Sequence, residues 1–196
     1  MPRLFTGLEI PPDIADALSS HRGGLSGARW IDPVNYHITL RFIGDVDGAT
    51  AREILAILGE SRARAPLAIV LDGLGAFGGS RPRALVARVA ASPELSRLQA
   101  EQERLMQRVG LDPESRKYTP HVTLARLRNP TSSDVAAYLA MRGQVPRVTF
   151  TASRFVLYSA RDSVGGGPYV VEAAYPLEKS DALLAPSSDG RERVAG

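Results

Sequence analysis

His37-Ile38-Thr39-Leu40 and His121-Val122-Thr123-Leu124 are one four-residue pattern written twice, 121 − 37 = 84 positions apart. Each reads His, β-branched aliphatic, Thr, Leu, and together they use two of the three histidines in the chain. In a strand, successive side chains point to opposite faces, so His and Thr of each motif share one face while the aliphatic residues share the other. Two such strands beside a common cleft present two imidazoles and two hydroxyls to whatever occupies it.

The chemistry of that set is narrow. Imidazole titrates near pH 6.5, so one ring can accept a proton while its charged twin donates one, each role contributing about 10²–10⁴ in rate. The threonine hydroxyls are short and stiff, suited to holding the non-bridging oxygens of a phosphate between the rings. A nucleophile relay is not indicated, because neither motif supplies an activated serine with an orienting acid. The attacking group is then water or a hydroxyl of the substrate. Metal binding is the rival use of two histidines. It is disfavoured by Thr where a ligand set needs Asp, Glu or His, by the lack of cysteine, and by the lack of an acid close to either motif. No metal and no cofactor are expected. A lone histidine on a strand is more often structural than catalytic; duplication of the whole pattern argues otherwise.

Outward from the motifs the chain alternates strands and helices. Arg3 to Ile10 reads as a strand, and Pro12 opens a helix to about His21, with Ile14, Leu18 and His21 along one face and Gly23-Gly24 stopping it. Ala49 to about Arg62 reads as a helix with Ile54, Leu55 and Leu58 inward, Leu67 to Leu74 as a strand, Gly75 to Arg83 as a loop, and Ala84 to Val89 as a strand. Ser92 caps a helix whose buried stripe is Leu95, Leu98, Leu105, Met106 and Val109, and Gly110 ends it. Past the second motif come a helix capped near Ser132 or Ser133 and running to about Met141, and one long strand from Val145 to Tyr158, broken by polar residues. A turn from Ser163 to Gly167 and a last strand from Tyr169 to Tyr175 close the pattern. Residues 179–196 show no period and are expected to be a disordered tail.

Adding 84 carries Leu67–Leu74 onto Thr151–Tyr158, the strand beginning at Ala84 onto the one after Pro168, and the helix after Pro12 onto the one containing Leu98. Each half reads helix, His-Thr strand, helix, strand, strand. The expected fold is therefore α+β: two pseudo-symmetric lobes of mainly antiparallel sheet with outer helices around a central cleft, one domain over residues 1–178. The first strand would complete one lobe and the last strand the other.

Composition sets looser bounds. With 196 residues, 44% of them hydrophobic and no cysteine, stability must come from a packed core rather than disulfides, as a cytoplasmic protein would have it. No run reaches the roughly 18–20 apolar residues of a membrane span, and no signal peptide is expected. The 24 Lys and Arg against 21 Asp and Glu give a net charge of +3, a bias that favours an anionic substrate without identifying it.

With these surroundings the paired motifs resemble the two-histidine (2H) phosphoesterase superfamily, specifically the bacterial and archaeal RNA 2′,3′-cyclic phosphodiesterases once called 2′-5′ RNA ligases. The likeness extends through Arg3-Leu4-Phe5, Arg29-Trp30, Asn35-Tyr36, Arg41-Phe42-Ile43-Gly44 and Arg81-Pro82-Arg83. It continues with Pro120, Ala125-Arg126, Gly167-Pro168-Tyr169 and Tyr175-Pro176-Leu177. The resemblance implies hydrolysis of an RNA terminal 2′,3′-cyclic phosphate to a 2′-phosphate, with His121 accepting a proton from water and His37 donating one to the leaving 3′ oxygen. Thr39, Thr123 and Arg126 would hold the phosphate. The implied partner is an RNA or oligonucleotide bearing the cyclic end, met by a monomer away from any membrane. The alternatives are a reversible 2′-5′ RNA ligase, a phosphodiesterase acting on another small cyclic phosphate, or a non-catalytic nucleotide-binding module.

Secondary candidates follow from parity. Arg41 shares the parity of His37 and Thr39, so plain alternation aims it at the cleft, a strand-end surface cation being the other reading. Arg126 has the opposite parity to His121 and Thr123 and reaches a phosphate only if the strand ends or bulges near Ala125. Phe5 and Tyr36 are candidates for stacking on a nucleobase, with core packing as the commoner fate of such aromatics. Trp30 is expected between the lobes, His21 at a helix end, and Gly165-Gly166-Gly167 in a hairpin turn rather than a phosphate loop.

Overall fold

A computed structural model describes residues 1–61, 65–160 and 167–177. In chain order its elements are β1 (Arg3–Glu9), α1 (Pro12–Ser19), β2 (Ala28–Trp30), a single 3₁₀ turn (Pro33–Asn35), β3 (His37–Asp45), α2 (Gly48–Leu58) and β4 (Leu67–Phe77). There follow β5 (Ala84–Val89), α3 (Pro93–Arg108), β6 (His121–Leu127), α4 (Ser132–Arg142), β7 (Val148–Ala152), β8 (Arg154–Ala160) and β9 (Tyr169–Pro176).

Helix ends follow local chemistry. Pro12 begins α1 because its missing N–H is one that the first turn leaves unbonded anyway. The Asp47 carboxylate accepts from the Thr50 N–H at 2.8 Å to start α2, and the Ser92 hydroxyl accepts from Leu95 N–H at 3.1 Å to start α3. Gly110, at φ +89°, follows α3 in the left-handed region that glycine enters freely. Helix α4 is capped by Thr131, one residue before the expected serines. Thr131 has an acid three positions on, and the Thr131 hydroxyl and Asp134 carboxylate each accept the other's backbone N–H, at 3.1 and 3.0 Å. On α2 the inward residues are Ile54, Ile57 and Leu58, whereas Leu55, expected inward, is 37% exposed. The end expected for α2 at Arg62, the turn over 163–166 and the tail over 179–196 lie outside the described residues.

Every strand pairing among the described residues is antiparallel, in the order β7-β4-β5-β6-β3-β1-β8-β9 with β2 on the flank of β6. The two motif strands lie side by side at the centre of this row, joined through the single pair Ile38↔Val122. Both residues are fully buried, as are Leu8 and Leu124 nearby, and each such burial is worth about 1.5–3 kcal/mol. On either side of that join the lobes mirror each other: β3 answers β6, β1 answers β5, β8 answers β4, and β9 answers β7.

Three expectations need correction. The strand from Ala84 is the counterpart of β1 rather than of the last strand, and β1 and β9 lie in the same lobe. The long strand expected over Val145–Tyr158 is two strands at distant places in the sheet, β7 on β4 and β8 on β1, with the chain crossing between lobes at Ser153. The crossing is marked in the sequence by two successive exposed polar residues, Ser153-Arg154, where the alternation of Val148, Phe150 and Ala152 breaks. The loop expected from Gly75 is strand as far as Phe77, which pairs with Ala84.

Candidate active site

Antiparallel pairing of Ile38 with Val122 means that partner numbers across this join sum to 160. Continued by one residue each way, that register sets His37 beside Thr123 and Thr39 beside His121, all four on the face opposite the buried Ile38 and Val122. The two histidines are then diagonal neighbours, a relation that sets residues about 7–8 Å apart and their Cβ atoms somewhat closer. All four side chains line one cleft of about 260 Å³, close to the lower end of the roughly 300–1,000 Å³ of small-ligand pockets.

Each ring is oriented by the same device. His37 Nδ1–H donates to the Asn35 carbonyl at 2.8 Å, and His121 Nδ1–H donates to the Thr119 carbonyl at 2.7 Å, two residues upstream in both cases. Because a carbonyl can only accept, the Nδ1 atoms carry the protons in the neutral rings, leaving each Nε2 with its lone pair. The Thr39 hydroxyl lies 3.1 Å from His37 Nε2 and donates to it.

His37 stands in an aromatic box. Its ring centroid lies 4.8 Å from that of Phe5, 5.1 Å from Tyr169 and 5.5 Å from Tyr158. Burial therefore pushes its pKa down to about 4, with the charges of His121 and Arg126 adding to the fall and the Asn35 hydrogen bond opposing it. His121 is lowered too, by burial and by Arg126 against the Thr119 bond, and its ring stands nearly perpendicular to that of Phe77, centroids 4.7 Å apart. Among the described residues no carboxylate lines the cleft, while Arg126 and Arg3 do, the latter paired with Asp45 at 2.7 Å, so Arg126 is the cation that suits the site to an anion. Among the described residues no group of three His, Cys, Asp or Glu is placed to hold a metal ion.

Parity decided the arginines, through a feature the sequence does not announce. The β1–β3 register steps from Thr6↔Arg41 to Gly7↔Thr39, skipping Leu40, and the β5–β6 register steps from Leu85↔Ala125 to Val86↔Thr123, skipping Leu124. These bulges occupy equivalent places and reverse the alternation beyond them. Arg126 accordingly joins the cleft, as it does only with such a bulge, and Phe42 joins it in the other lobe. Arg41 is turned away, correcting the reading that aimed it at the phosphate. It is 8% exposed, with Nε 2.5 Å from the Glu103 carboxylate and a second nitrogen donating to the Asp112 carbonyl at 2.5 Å, a tie between β3 and α3.

Tyr36 is also corrected. It adjoins His37 and so faces the opposite side, 4% exposed in the core, with burial pushing its phenol up to about 12. Phe5 lines the cleft but is 4% exposed and packed on His37, Tyr158 and Tyr169, so it walls His37 rather than offering a face for stacking. Trp30 lies on β2 beside β6, its ring 6.2 Å from Tyr138. His21 follows α1, and its carbonyl accepts from the Tyr138 hydroxyl.

Residues not singled out from sequence for a role include Phe42, which adding 84 places on Arg126, and Asn35. The Asn35 side-chain oxygen accepts the Tyr169 N–H at 3.1 Å while its carbonyl holds His37, so β9 and the His37 ring share one support.

An antiparallel two-lobed sheet with one His-x-Thr strand from each lobe at its centre is the architecture of a two-histidine phosphoesterase. The sequence matches the profile of the 2′-5′ RNA ligase superfamily over residues 10–163, and the chain belongs to that family. It is 32% identical over 130 residues to the RNA 2′,3′-cyclic phosphodiesterase of Bacillus subtilis, covering 64% of this chain and 71% of that one. With the protein of the same name from Aeropyrum pernix it shares 43% over 103 residues, covering 50% of this chain and just 56% of its relative. A crystal structure from Thermus thermophilus superposes with a TM-score of 0.72 at 25% identity, over 91% of this chain and 99% of that one. That of Escherichia coli LigT complexed with 3′-AMP, at 21% identity and TM-score 0.70 over 90% and 99%, shares the fold.

Proposed function

We propose that the protein hydrolyses RNA terminal 2′,3′-cyclic phosphates to 2′-phosphates by paired-histidine acid-base catalysis. The carrying observation is that His37 and His121, locked through Nδ1 to backbone carbonyls, line one cleft with Thr39, Thr123 and Arg126. The names of the Bacillus and Aeropyrum relatives support the same reading.

Water attacks phosphorus while His121 Nε2 takes its proton. The P–O3′ bond breaks, and His37 Nε2 gives a proton to the departing oxygen. Thr39, Thr123 and Arg126 stabilise the charge growing on the non-bridging oxygens, an effect that is large in a water-poor site. The donor role requires a charged His37, which its low pKa disfavours in the free protein. A phosphate anion between the rings supplies the missing stabilisation of that charge, so the donor is armed by substrate. The strain of the cyclic ester suits a site with only acid-base and electrostatic help.

The test is product analysis on RNA ending in a 2′,3′-cyclic phosphate. Wild type is expected to release a 2′-phosphate, in excess chelator as without it, and His37→Ala and His121→Ala to abolish turnover while remaining folded. Appreciable turnover by either variant overturns the assignment. Formation of a 2′-5′ linkage with added 5′-hydroxyl RNA identifies the ligase alternative, and binding without conversion identifies a nucleotide-binding module.

A further inference from the structure

The basic residues of this chain are not spread evenly. Residues 73–93 and 115–133 contain no Asp or Glu, yet the first stretch carries Arg81, Arg83 and Arg88 and the second Arg116, Lys117, Arg126 and Arg128. Setting those seven aside leaves the rest of the chain at −4, with 17 Lys and Arg against 21 Asp and Glu, although the whole carries +3. The two stretches are β5 and β6 with their flanking turns, paired in the sheet. The positive charge therefore belongs to the lobe that carries His121. A surface charged for solubility alone mixes both signs; this one does not.

These cations collect at the two ends of the β5–β6 pair. At one end Arg116 and Lys117 line a hollow that Glu114 also lines, so an acid is at hand. At the other end no described acid lines the hollow. Arg126 and Arg128 are exposed on either side of the buried Leu127, and Arg81 and Arg83 are exposed on either side of the buried Pro82. The Leu127 N–H donates to the Arg83 carbonyl at 2.8 Å, and the Arg128 N–H to the Gly27 carbonyl at 2.9 Å, which fixes the two arginine pairs side by side. Gly27 sits at φ +73°, and a Cβ there would lie 2.2 Å from the Arg128 carbonyl oxygen, so this backbone contact admits only glycine. Residues 80–83 and 127–130 enclose a hollow of about 490 Å³ without a carboxylate. Among the described residues none of these four arginines is in an ion pair.

We infer that this end of the lobe is a track for the phosphodiester backbone of single-stranded RNA. The strand whose 3′ end occupies the histidine cleft runs past Arg126, over Arg128 and into the hollow between Arg81 and Arg83. Arg126 belongs to both places, lining the cleft and opening the arginine series, so the path is continuous. Guanidiniums are the side chains best shaped for phosphate oxygens, and a single-signed patch steers a polyanion. The inference rests on the reading that the cleft takes an RNA end, and extends it from a terminal group to a chain several nucleotides long.

The experiment compares a ten-nucleotide RNA bearing a 2′,3′-cyclic phosphate with the cyclic mononucleotide, between 50 and 200 mM KCl. The triple variant Arg81→Gln, Arg83→Gln, Arg128→Gln is set against the double variant Arg116→Gln, Lys117→Gln. In the triple variant the ratio of kcat/KM for the ten-mer to that for the mononucleotide is expected to fall about tenfold or more. Its log–log salt slope is expected to flatten by about 2, three lost contacts at about 0.7 each. The double variant moves neither. An unchanged ratio and slope in the triple variant, or the same loss in the double variant, overturns the track. If wild type hydrolyses neither substrate, the proposed function fails, and fluorescence anisotropy of the labelled ten-mer tests the track by itself: binding must weaken about tenfold in the triple variant, and equal affinity overturns it. Should the triple variant not fold, Arg128→Gln alone is expected to flatten the slope by about 0.7.

Discussion

Lowering the pH is expected to unload a measurable part of the fold's stability through one ring. His37 titrates at about 4 in the folded protein against 6.5 when unperturbed, chiefly because Phe5, Tyr158 and Tyr169 replace the water that a charged imidazole needs. Above pH 6.5 the ring is neutral in both states and contributes nothing. As the pH falls below 6.5 the unfolded chain binds a proton that the folded one refuses, so stability declines until the pH has passed below about 4, where both are charged. The full difference is about 3 kcal/mol, at about 1.36 kcal/mol per pH unit, and about 2.5 kcal/mol of it is spent by pH 4.5. Other groups titrate in this range, so the comparison is with His37→Asn, whose amide can still donate to the Asn35 carbonyl. Urea unfolding of the two proteins at intervals from pH 7.5 to 4.5 should give a constant gap above pH 6.5 and a loss of about 2.5 kcal/mol in wild type relative to the variant by pH 4.5. Imidazole NMR supplies the independent readout. A constant gap throughout, or a His37 titration at 6 or above, would refute the account of the aromatic box.

Other perturbations follow from the same geometry. Phe5→Ala opens that box: it is expected to cost about 3–5 kcal/mol in urea unfolding and to raise the His37 pKa toward 6.5 by NMR, His121 moving less. Arg126→Ala is expected to lower kcat on a cyclic phosphate about 10²-fold or more, with Arg126→Lys recovering part of it; equal rates for all three proteins would remove the guanidinium from the mechanism. Gly167→Ala forces a side chain onto φ +94° with its Cβ 2.4 Å from the Asn35 side chain, so a loss of about 1–3 kcal/mol is expected by thermal or urea unfolding, together with a displaced His37 resonance. The kcat/KM profile against pH is expected to be bell-shaped with its maximum below pH 6.5, because both rings titrate below their ordinary value; a maximum near 8 would contradict both shifts.

What local chemistry controls was legible in the amino-acid order itself. The doubled His-x-Thr pattern placed both histidines and both threonines on common faces, helix starts at Pro12 and Ser92 declared themselves, and the repeat of 84 implied two like lobes. The shared faces and helix starts depend on neighbours within a few positions, and the repeat on likeness between two halves of the chain, both of which a sequence displays directly. Tertiary structure decided everything that depends on how distant strands align. The bulges at Leu40 and Leu124 arise from pairing with β1 and β5, and they alone sent Arg126 and Phe42 into the cleft and Arg41 to Glu103. The switch from β7 to β8 at Ser153, and the kinship of β5 with β1, likewise belong to which strand lies beside which. The fall of the His37 pKa has the same origin, since Phe5 from the first strand and Tyr158 and Tyr169 from the last two meet around one ring. Side-chain alternation is a property of one strand, but its phase and its company are set by the strands it pairs with.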